Sequence, residues 1–306
     1  MSIWNFSYAV LGLLLAPLLP GITNRTKAVF AGRHGQPLLQ TYYDLAKLLR
    51  KGAVYSRTTS WVFRLAPPGG LACLVVALFL VPAGDFAAPL AFPGDLILLA
   101  YLLGLMRFMT VCAALDTGSS FEGMGASREV QFSALTEPAL ILGLAALAYA
   151  TGSFSLSGIF GGVTRPDWLQ VGPALVLVAA ALLIVFLAEN SRIPVDDPNT
   201  HLELTMIHEV MILDYSGPDL AFILYGASLK LWLLGALLVN IFLPLTGRSG
   251  PLQIACLVAG MFVVAVVTGV IESVMARLSL LKVPQLLVGA AALSVLGFVL
   301  MLRYAL

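Results

Sequence analysis

Apolar runs of about 18 or more residues recur along this chain, and each is long enough to cross a bilayer core of roughly 30 Å. Eight candidate spans can be read, at roughly Ile3–Thr23, Leu65–Pro82, Asp95–Leu115, Phe132–Thr151, Pro173–Glu189, Leu220–Leu243, Leu252–Val274 and Val283–Tyr304. Such a pattern constrains the fold more than any other feature, because a chain built this way is a polytopic helical membrane protein. The first run, IWNFSYAVLGLLLAPLLPGI, has no basic segment before it and no small-residue cleavage site, so it is expected to be a retained span. No internal repeat of 20–50 residues is visible, so residues 1–306 are expected to form a single membrane domain.

Only 11% of the residues are charged and the net charge is +1, which removes any bulk electrostatic case for nucleic-acid binding. The distribution says more than the sum. Between the first two spans lie Arg25, Lys27, Arg33, Lys47, Arg50, Lys51, Arg57 and Arg64, and loops three, five and seven add Arg128, Arg192, Arg277 and Lys282. The opposite side holds Arg165, Arg248 and Arg303. This asymmetry places the odd-numbered loops in the cytoplasm and both termini outside. The first loop also contains QPLLQTYYDLAKLLRK, about residues 36–51. Leu38, Leu39, Tyr42, Leu45, Leu48 and Leu49 recur there at helical spacing, with Asp44, Lys47, Arg50 and Lys51 opposite. That is an amphipathic helix on the cytoplasmic side, either an anchor on lipid headgroups or a docking face for a soluble partner. Trp61 and Phe63 follow where an interfacial aromatic belt is expected.

Several ionisable residues fall where the bilayer makes them costly. Arg107 sits near the middle of DLILLAYLLGLMRFMTVCAAL, and a central arginine costs about 2.5–3.5 kcal/mol on insertion scales. It requires a carboxylate, backbone carbonyls or water inside the bundle. Lys230 poses the same problem in FILYGASLKLWLLGALL. Each is either half of a structural ion pair or a member of an ion or proton path. Glu137, followed by Pro138, and Glu189 and Glu272 all lie toward the cytoplasmic ends of their spans. Carboxylates in low dielectric exchange protons near neutral pH, so several of them bridged by water form a relay. Spacing offers Glu272 a simpler partner in Arg277.

The fifth loop, AENSRIPVDDPNTHLELTMIHEVMILDYSG, gathers Glu189, Asp196, Asp197, Glu203, Glu209 and Asp214 with His201, His208 and Arg192. RIPVDDPN is rich in turn formers, and Asp197 or Asn199 is placed to cap a helix after it. The interleaved Leu202, Leu204, Met206, Ile207, Val210, Met211 and Ile212 predict a largely buried helix there. His201 and His208 share a face, yet the second histidine of the zinc-protease motif is missing, so a metal would need ligands from elsewhere. Cys73, Cys112 and Cys256 lie singly in apolar runs and read as reduced, structural thiols.

Three motifs carry a resemblance. They are LLQTYYDLAKLLRK with WVFRLAP in loop one, LDTGSSFEGMGASRE in loop three (about 116–132), and ENSRIPVDDPNTHLEL through LDYSG in loop five (about 190–218). In this order the chain resembles the membrane heel subunits shared by respiratory complex I and group 4 membrane-bound NiFe hydrogenases. It resembles most the branch of formate hydrogenlyase and hydrogenase-4. The resemblance implies a polypeptide without redox cofactors of its own. Such a polypeptide docks a soluble arm holding iron–sulfur clusters and a NiFe centre, and couples electron transfer to proton or sodium movement through antiporter-like membrane subunits. It implies a proton path through Glu137, Glu189, Glu203 and Asp214, to which Glu209 and the buried Arg107 and Lys230 are added. It implies a soluble-arm interface and chamber around Arg33, Asp44, Lys47, Arg50, Lys51, Asp116, Arg128, Glu129, Arg192, Asp196, Asp197, His201 and His208. No catalytic or metal-binding residue is implied in this chain. Gly32–Pro37 reads GRHGQP where the complex I relatives carry an arginine–glycine–proline–asparagine pattern, which counts against a quinone site. The other readings are the quinone-binding subunit of an NADH:quinone oxidoreductase, a stand-alone ion transporter and a passive membrane anchor. Transporters commonly show paired repeats, which are not visible here.

Overall fold

A computed structural model describes residues 3–196, 206–244, 247 and 249–304. Among the described residues helices are the regular elements, with no strand beyond an isolated bridge between Ala83 and Phe86. Seven of the helices are long and apolar enough to cross a membrane, and an eighth crossing is made if the bent first pair counts as one. The all-α polytopic class read from the sequence is the class observed.

The first pair of helices is sharply bent. Helix α1 (Ile3–Leu15) and α2 (Leu18–Phe30) meet at 52°. Pro17 lies at the break, where its ring lacks the N–H that a continuing helix would use. α2 then runs seven residues past the Thr23 expected from hydropathy, packed along α10 (Gly250–Val274). The surface helix is α3 (Gln40–Leu49), shorter than the predicted 36–51. Its Leu45 is buried and Tyr42 and Leu48 half-buried, while Leu38, Leu39 and Leu49 stay exposed. α3 packs on α2 and on α9 (Gly217–Phe242), so its narrow apolar stripe meets protein.

α4 (Trp61–Leu78) starts on Ser60, whose hydroxyl accepts from the Val62 N–H in an N-cap. Trp61 faces outward as a belt residue should. Phe63 does not: it is buried, stacked on Tyr215 at 3.9 Å, while the Tyr215 hydroxyl donates to the Phe63 carbonyl at 2.8 Å. α5 (Asp95–Asp116) follows. α6 (Ser120–Thr151) is 32 residues long and begins twelve residues before Phe132, so most of the third-loop motif is helix rather than loop. Polar residues on those first turns hide the helix from a hydropathy window. Short α7 (Leu156–Gly162) lies on the opposite side. α8 (Arg165–Glu189) starts eight residues before the expected Pro173, on a reciprocal Thr164–Asp167 cap with Pro166 in its first turn. α10 and α11 (Val283–Tyr304) complete the bundle.

α9 is the axis of the molecule. Residues from Ser228 to Ile241 are all buried, because LKLWLLGALLVNI is apolar on all sides except at Lys230 and Asn240, which find partners inside, and only a central position hides it all. α4 and α5 pack as one pair, and α6, α8 and α11 as another group. The segment 206–216 lies across the ends of α5 and α6. Met206, Ile207, Val210 and Met211 are buried there, as their apolar spacing required. The predicted helix is not continuous, however: residues 206–208 are non-helical and Glu209–Ile212 forms one turn of 3-10 helix. Residues 197–205, including Asp197, Asn199, His201 and Glu203, lie outside the described residues.

Gly125 permits the close seating of this segment. A Cβ there would lie 2.1 Å from Val210 Cγ1 and 2.9 Å from the Ile207 carbonyl oxygen, whereas one on Gly123 meets nothing within 4 Å. Gly125→Ala is therefore expected to cost about 1–3 kcal/mol by overpacking. Gly123→Ala is expected to be neutral or stabilising by up to about 1 kcal/mol from helix propensity. Thermal melts of the two variants in detergent check the opposite signs.

Candidate functional site

The site grows from Arg107, midway along α5 and buried. Three carboxylates from two helices surround its guanidinium. Nη2 donates to Glu189 Oε1 at 2.6 Å, Nε lies 3.3 Å from Glu129 Oε1, and Nη1 pairs with Glu137. Glu189 closes α8 and is shared, since its Oε2 lies 2.7 Å from Lys230 Nζ and its Oε1 accepts from the Thr136 hydroxyl at 3.0 Å. The two cations that the bilayer should forbid thus meet in one network.

The network continues outward through His208. Its Nε2 is 3.0 Å from Glu129 Oε2 and its Nδ1 3.5 Å from Asp196 Oδ2. Asp196 in turn accepts from Arg277 at 2.7 Å. Desolvation pulls the His208 pKa down, but Glu129 and Asp196 on either side outweigh it and push the value up to about 9. With His208 charged, Arg107, Lys230, His208 and Arg277 balance Glu129, Glu137, Glu189 and Asp196 four against four. A second cluster lies beside it: Glu272 binds Lys27 at 2.8 Å and Arg192 at 3.2 Å. The expected Glu272–Arg277 pair is not formed, because Arg277 is drawn to Asp196. Both clusters clamp residues 190–196 against α2, α10 and the α10–α11 turn.

This ionic floor closes a cavity of about 510 Å³. Its walls are largely apolar, with Leu71, Leu74, Met106 and Ile223 among them, while Arg107, Glu129, Glu189, Arg192, Asp196, His208, Glu209 and Lys230 reach its polar end. Asp44 and Gln40 of α3 stand at its rim, joined by a 2.9 Å hydrogen bond.

Of the sequence-predicted path, Arg107, Glu137, Glu189 and Lys230 come together, and Glu209 lines the cavity. Asp214 does not join them: it is exposed and its backbone N–H donates to Glu122. Glu203 lies outside the described residues. Of the predicted interface, Glu129, Asp196 and His208 prove to be network members. Arg192 binds Glu272, and Arg128 donates to the Met206 carbonyl at 2.8 Å. Asp116 accepts from the Ser60 N–H at 2.7 Å and so fixes the start of α4. Arg33, Asp44, Lys47, Arg50 and Lys51 are exposed. Asp197 and His201 lie outside the described residues. Sequence reasoning missed Thr136, the buried Glu122 and the Glu129–His208 pair. Glu129 follows Arg128 in a polar run, and nothing in its spacing indicates a histidine 79 positions away. Among the described residues, no group of three or more His, Cys, Asp or Glu is placed to hold a metal.

The NADH dehydrogenase family model matches residues 4–302. The chain belongs to that family. It is 34% identical to formate hydrogenlyase subunit 4 of Escherichia coli K12, over 94% of both chains. It is also 34% identical to hydrogenase-4 component C of that organism, over 90% of this chain and 88% of the relative. An NADH-quinone oxidoreductase subunit of Rubrobacter xylanophilus is 29% identical over 67% of this chain and 62% of its own. Among solved structures, a chain of the archaeal membrane-bound sulfane sulfur reductase superposes with a TM-score of 0.80 over 98% of this chain and 100% of that one. At 21% identity, that match supports the fold alone. The heel-subunit resemblance read from three motifs is thus shown.

Two consequences of the NADH dehydrogenase-family network can be measured. Arg107→Leu leaves three carboxylates facing one another without their shared cation. It is expected to cost about 3–5 kcal/mol, seen as lost yield and a lower melting temperature in detergent. His208 carries the second. Its folded-state pKa lies above the ordinary value of 6.5, so its ion pairs contribute fully below about pH 6.5, and that contribution is lost as pH rises through about 9. Melting temperatures should fall across that window, and His208→Gln should remove the fall.

Proposed function

We propose that this chain is the membrane subunit of a complex I-like group 4 NiFe hydrogenase. It docks a soluble iron–sulfur and hydrogenase arm and couples electron transfer to proton or sodium translocation. The observation that carries the complex class is the 34% identity to formate hydrogenlyase subunit 4 across 94% of both chains. The coupling role is supported by the buried charge chain Arg277–Asp196–His208–Glu129–Arg107–Glu189–Lys230 at the closed end of a cavity. A structural ion pair needs two members, whereas these seven charges and Glu137 make eight, several of them within the spans where each is penalised.

In this reading the basic loops face the cytoplasm of a prokaryotic cell, the chain lies in the cytoplasmic membrane, and both termini are outside. The NiFe centre and iron–sulfur clusters belong to partner subunits. Exposed Lys47 on α3 and Arg50 and Lys51 just past its end, with the third- and fifth-loop motifs, form the docking side. The Glu137 side chain is 48% exposed on the flank of α6, where a hydrocarbon contact is unfavourable. A neighbouring antiporter-like membrane subunit is its proposed cover. A second reading, a quinone-binding subunit, draws on the 510 Å³ cavity, whose apolar walls and polar end suit an amphiphilic ring compound.

Affinity purification from the native membrane tests the assignment. Hydrogenase-like and iron–sulfur subunits should co-purify and the preparation should evolve hydrogen. Co-purification of an NADH-oxidising module with quinone reductase activity would favour the second reading instead. In the reconstituted complex, Glu137→Gln and Glu189→Gln should keep hydrogen evolution while lowering ion translocation. Full translocation in both variants overturns the coupling role.

A further inference from the structure

Beyond the large cavity, the chain encloses a small void of about 10 Å³ between α6 and α8. Glu129, Ser133 and Thr136 of α6, Glu189 of α8, and His208 supply its polar lining, and Phe132, Val195 and Ile207 close it. A void of this size with several polar neighbours suits one ordered water. Glu129, Glu189 and His208 also line the large cavity, so these three side chains form the wall between the two spaces.

We propose that His208 is the proton-loading residue of the network, taking a proton from the cavity and passing it through Glu129 and a water in the small void to Glu189. This deepens the coupling role proposed above and rests on it.

A direct contact supports the first transfer, and the void that Glu129 and Glu189 both line supports the second. His208 Nε2 and Glu129 Oε2 are 3.0 Å apart, a hydrogen-bond distance. Moving the Nε2 proton to Glu129 converts a charged pair into a neutral one, with no net change in the charge of the site. The void water then takes the proton from Glu129 and gives one to Glu189, which restores the Glu129 carboxylate. A hydronium on the cavity side reprotonates Nε2, and one proton has moved from cavity to Glu189. Glu189 receives it between Arg107 and Lys230, two cations that oppose its protonation, so this last transfer runs uphill and draws on the redox reaction.

Groups around the ring set its resting state. From α6 it faces Glu129, and from the α8–α9 connection Asp196, whose far oxygen binds Arg277. Arg107 of α5 reaches it through Glu129 and Lys230 of α9 through Glu189, while Glu209 is its chain neighbour. Arg128 is turned away, onto the Met206 carbonyl. Two flanking carboxylates against more distant cations keep the imidazole charged at neutral pH, with its pKa near 9, so it waits loaded. A histidine is suited to this place because it presents a donor to each carboxylate when charged and remains a hydrogen-bonding group when neutral.

The test uses the assembled complex in proteoliposomes, with formate or reduced ferredoxin as electron donor. Proton uptake is read by quenching of an acridine dye and compared with hydrogen evolved. His208→Gln keeps a polar side chain but cannot load a proton. It should leave assembly and hydrogen evolution in place while proton uptake per hydrogen falls about 100-fold. His208→Gly should regain uptake with added imidazole, and the pH profile of the rescue should shift when 4-methylimidazole replaces it, a response no structural role produces. Wild-type uptake in His208→Gln, or no imidazole response in His208→Gly, overturns the proposal. Glu189→Gln run alongside separates the two levels. If it loses uptake while His208→Gln keeps it, the network couples without His208 loading. If both keep it, the coupling role itself falls. Should neither His208 variant assemble, the wild-type complex decides. Uptake per hydrogen must decline as pH passes through about 9, and a flat ratio there overturns the proposal.

Discussion

The pairing of Arg107 with carboxylates governs the architecture around it. A guanidinium in mid-bilayer cannot stay in contact with lipid, and neutralising it with one carboxylate leaves donors unused. Here α6 supplies Glu129 and Glu137 and α8 supplies Glu189. Three anions around one cation are themselves unstable, so further cations are drawn in: Lys230 from α9 and charged His208 from the α8–α9 connection. Each addition fixes another element against α5. The polar network and the helix packing are therefore one problem, and the apolar core around Trp232 and Phe186 is the remainder of the solution.

The same logic accounts for the loops. Residues 190–196 bury Ile193 and Val195, and ion pairs add to that packing: Asp196 is held by Arg277 and Arg192 by Glu272, which also binds Lys27. Three separate elements thus converge on one short stretch. Opposite it, Met206, Ile207, Val210 and Met211 press into α5 and α6, with Gly125 clearing the space. A loop fastened by ion pairs on one side and apolar packing on the other can hold a histidine in register with Glu129.

Much of this was legible in the sequence, for reasons tied to particular elements. Seven long helices and the surface helix follow from hydrophobic runs and from the 3.6-residue stripe at Tyr42, Leu45 and Leu48. Arg107 and Lys230 stood out because a charge in an apolar span has few uses. What the sequence hid was of two kinds. Hydropathy cannot place a helix start within a polar run, so α6 and α8 begin twelve and eight residues early, at Ser120 and Arg165. Nor does spacing along the chain report tertiary pairing: Glu272 passes over Arg277, five residues on, for Lys27 and Arg192. The bend at Pro17 was not read either, since the apolar run looks continuous through it while the two helices meet at 52°.

The charge balance also explains why the cavity and the network belong together. Eight charges sealed in a dry core would need only fixed geometry, and the whole set could be replaced together by apolar side chains of similar volume at little cost to stability, although removing one member alone is costly. Three of them instead border the cavity and the small void at once, where a change in occupancy or charge on one side is felt on the other. At Glu137 the network reaches the outer flank of α6, away from the cavity. A set of ion pairs open at both ends is poorly arranged for rigidity alone. It is well arranged to pass a change in protonation from a cavity floor to the side of a bundle, and the coupling role proposed for this family member follows from that shape.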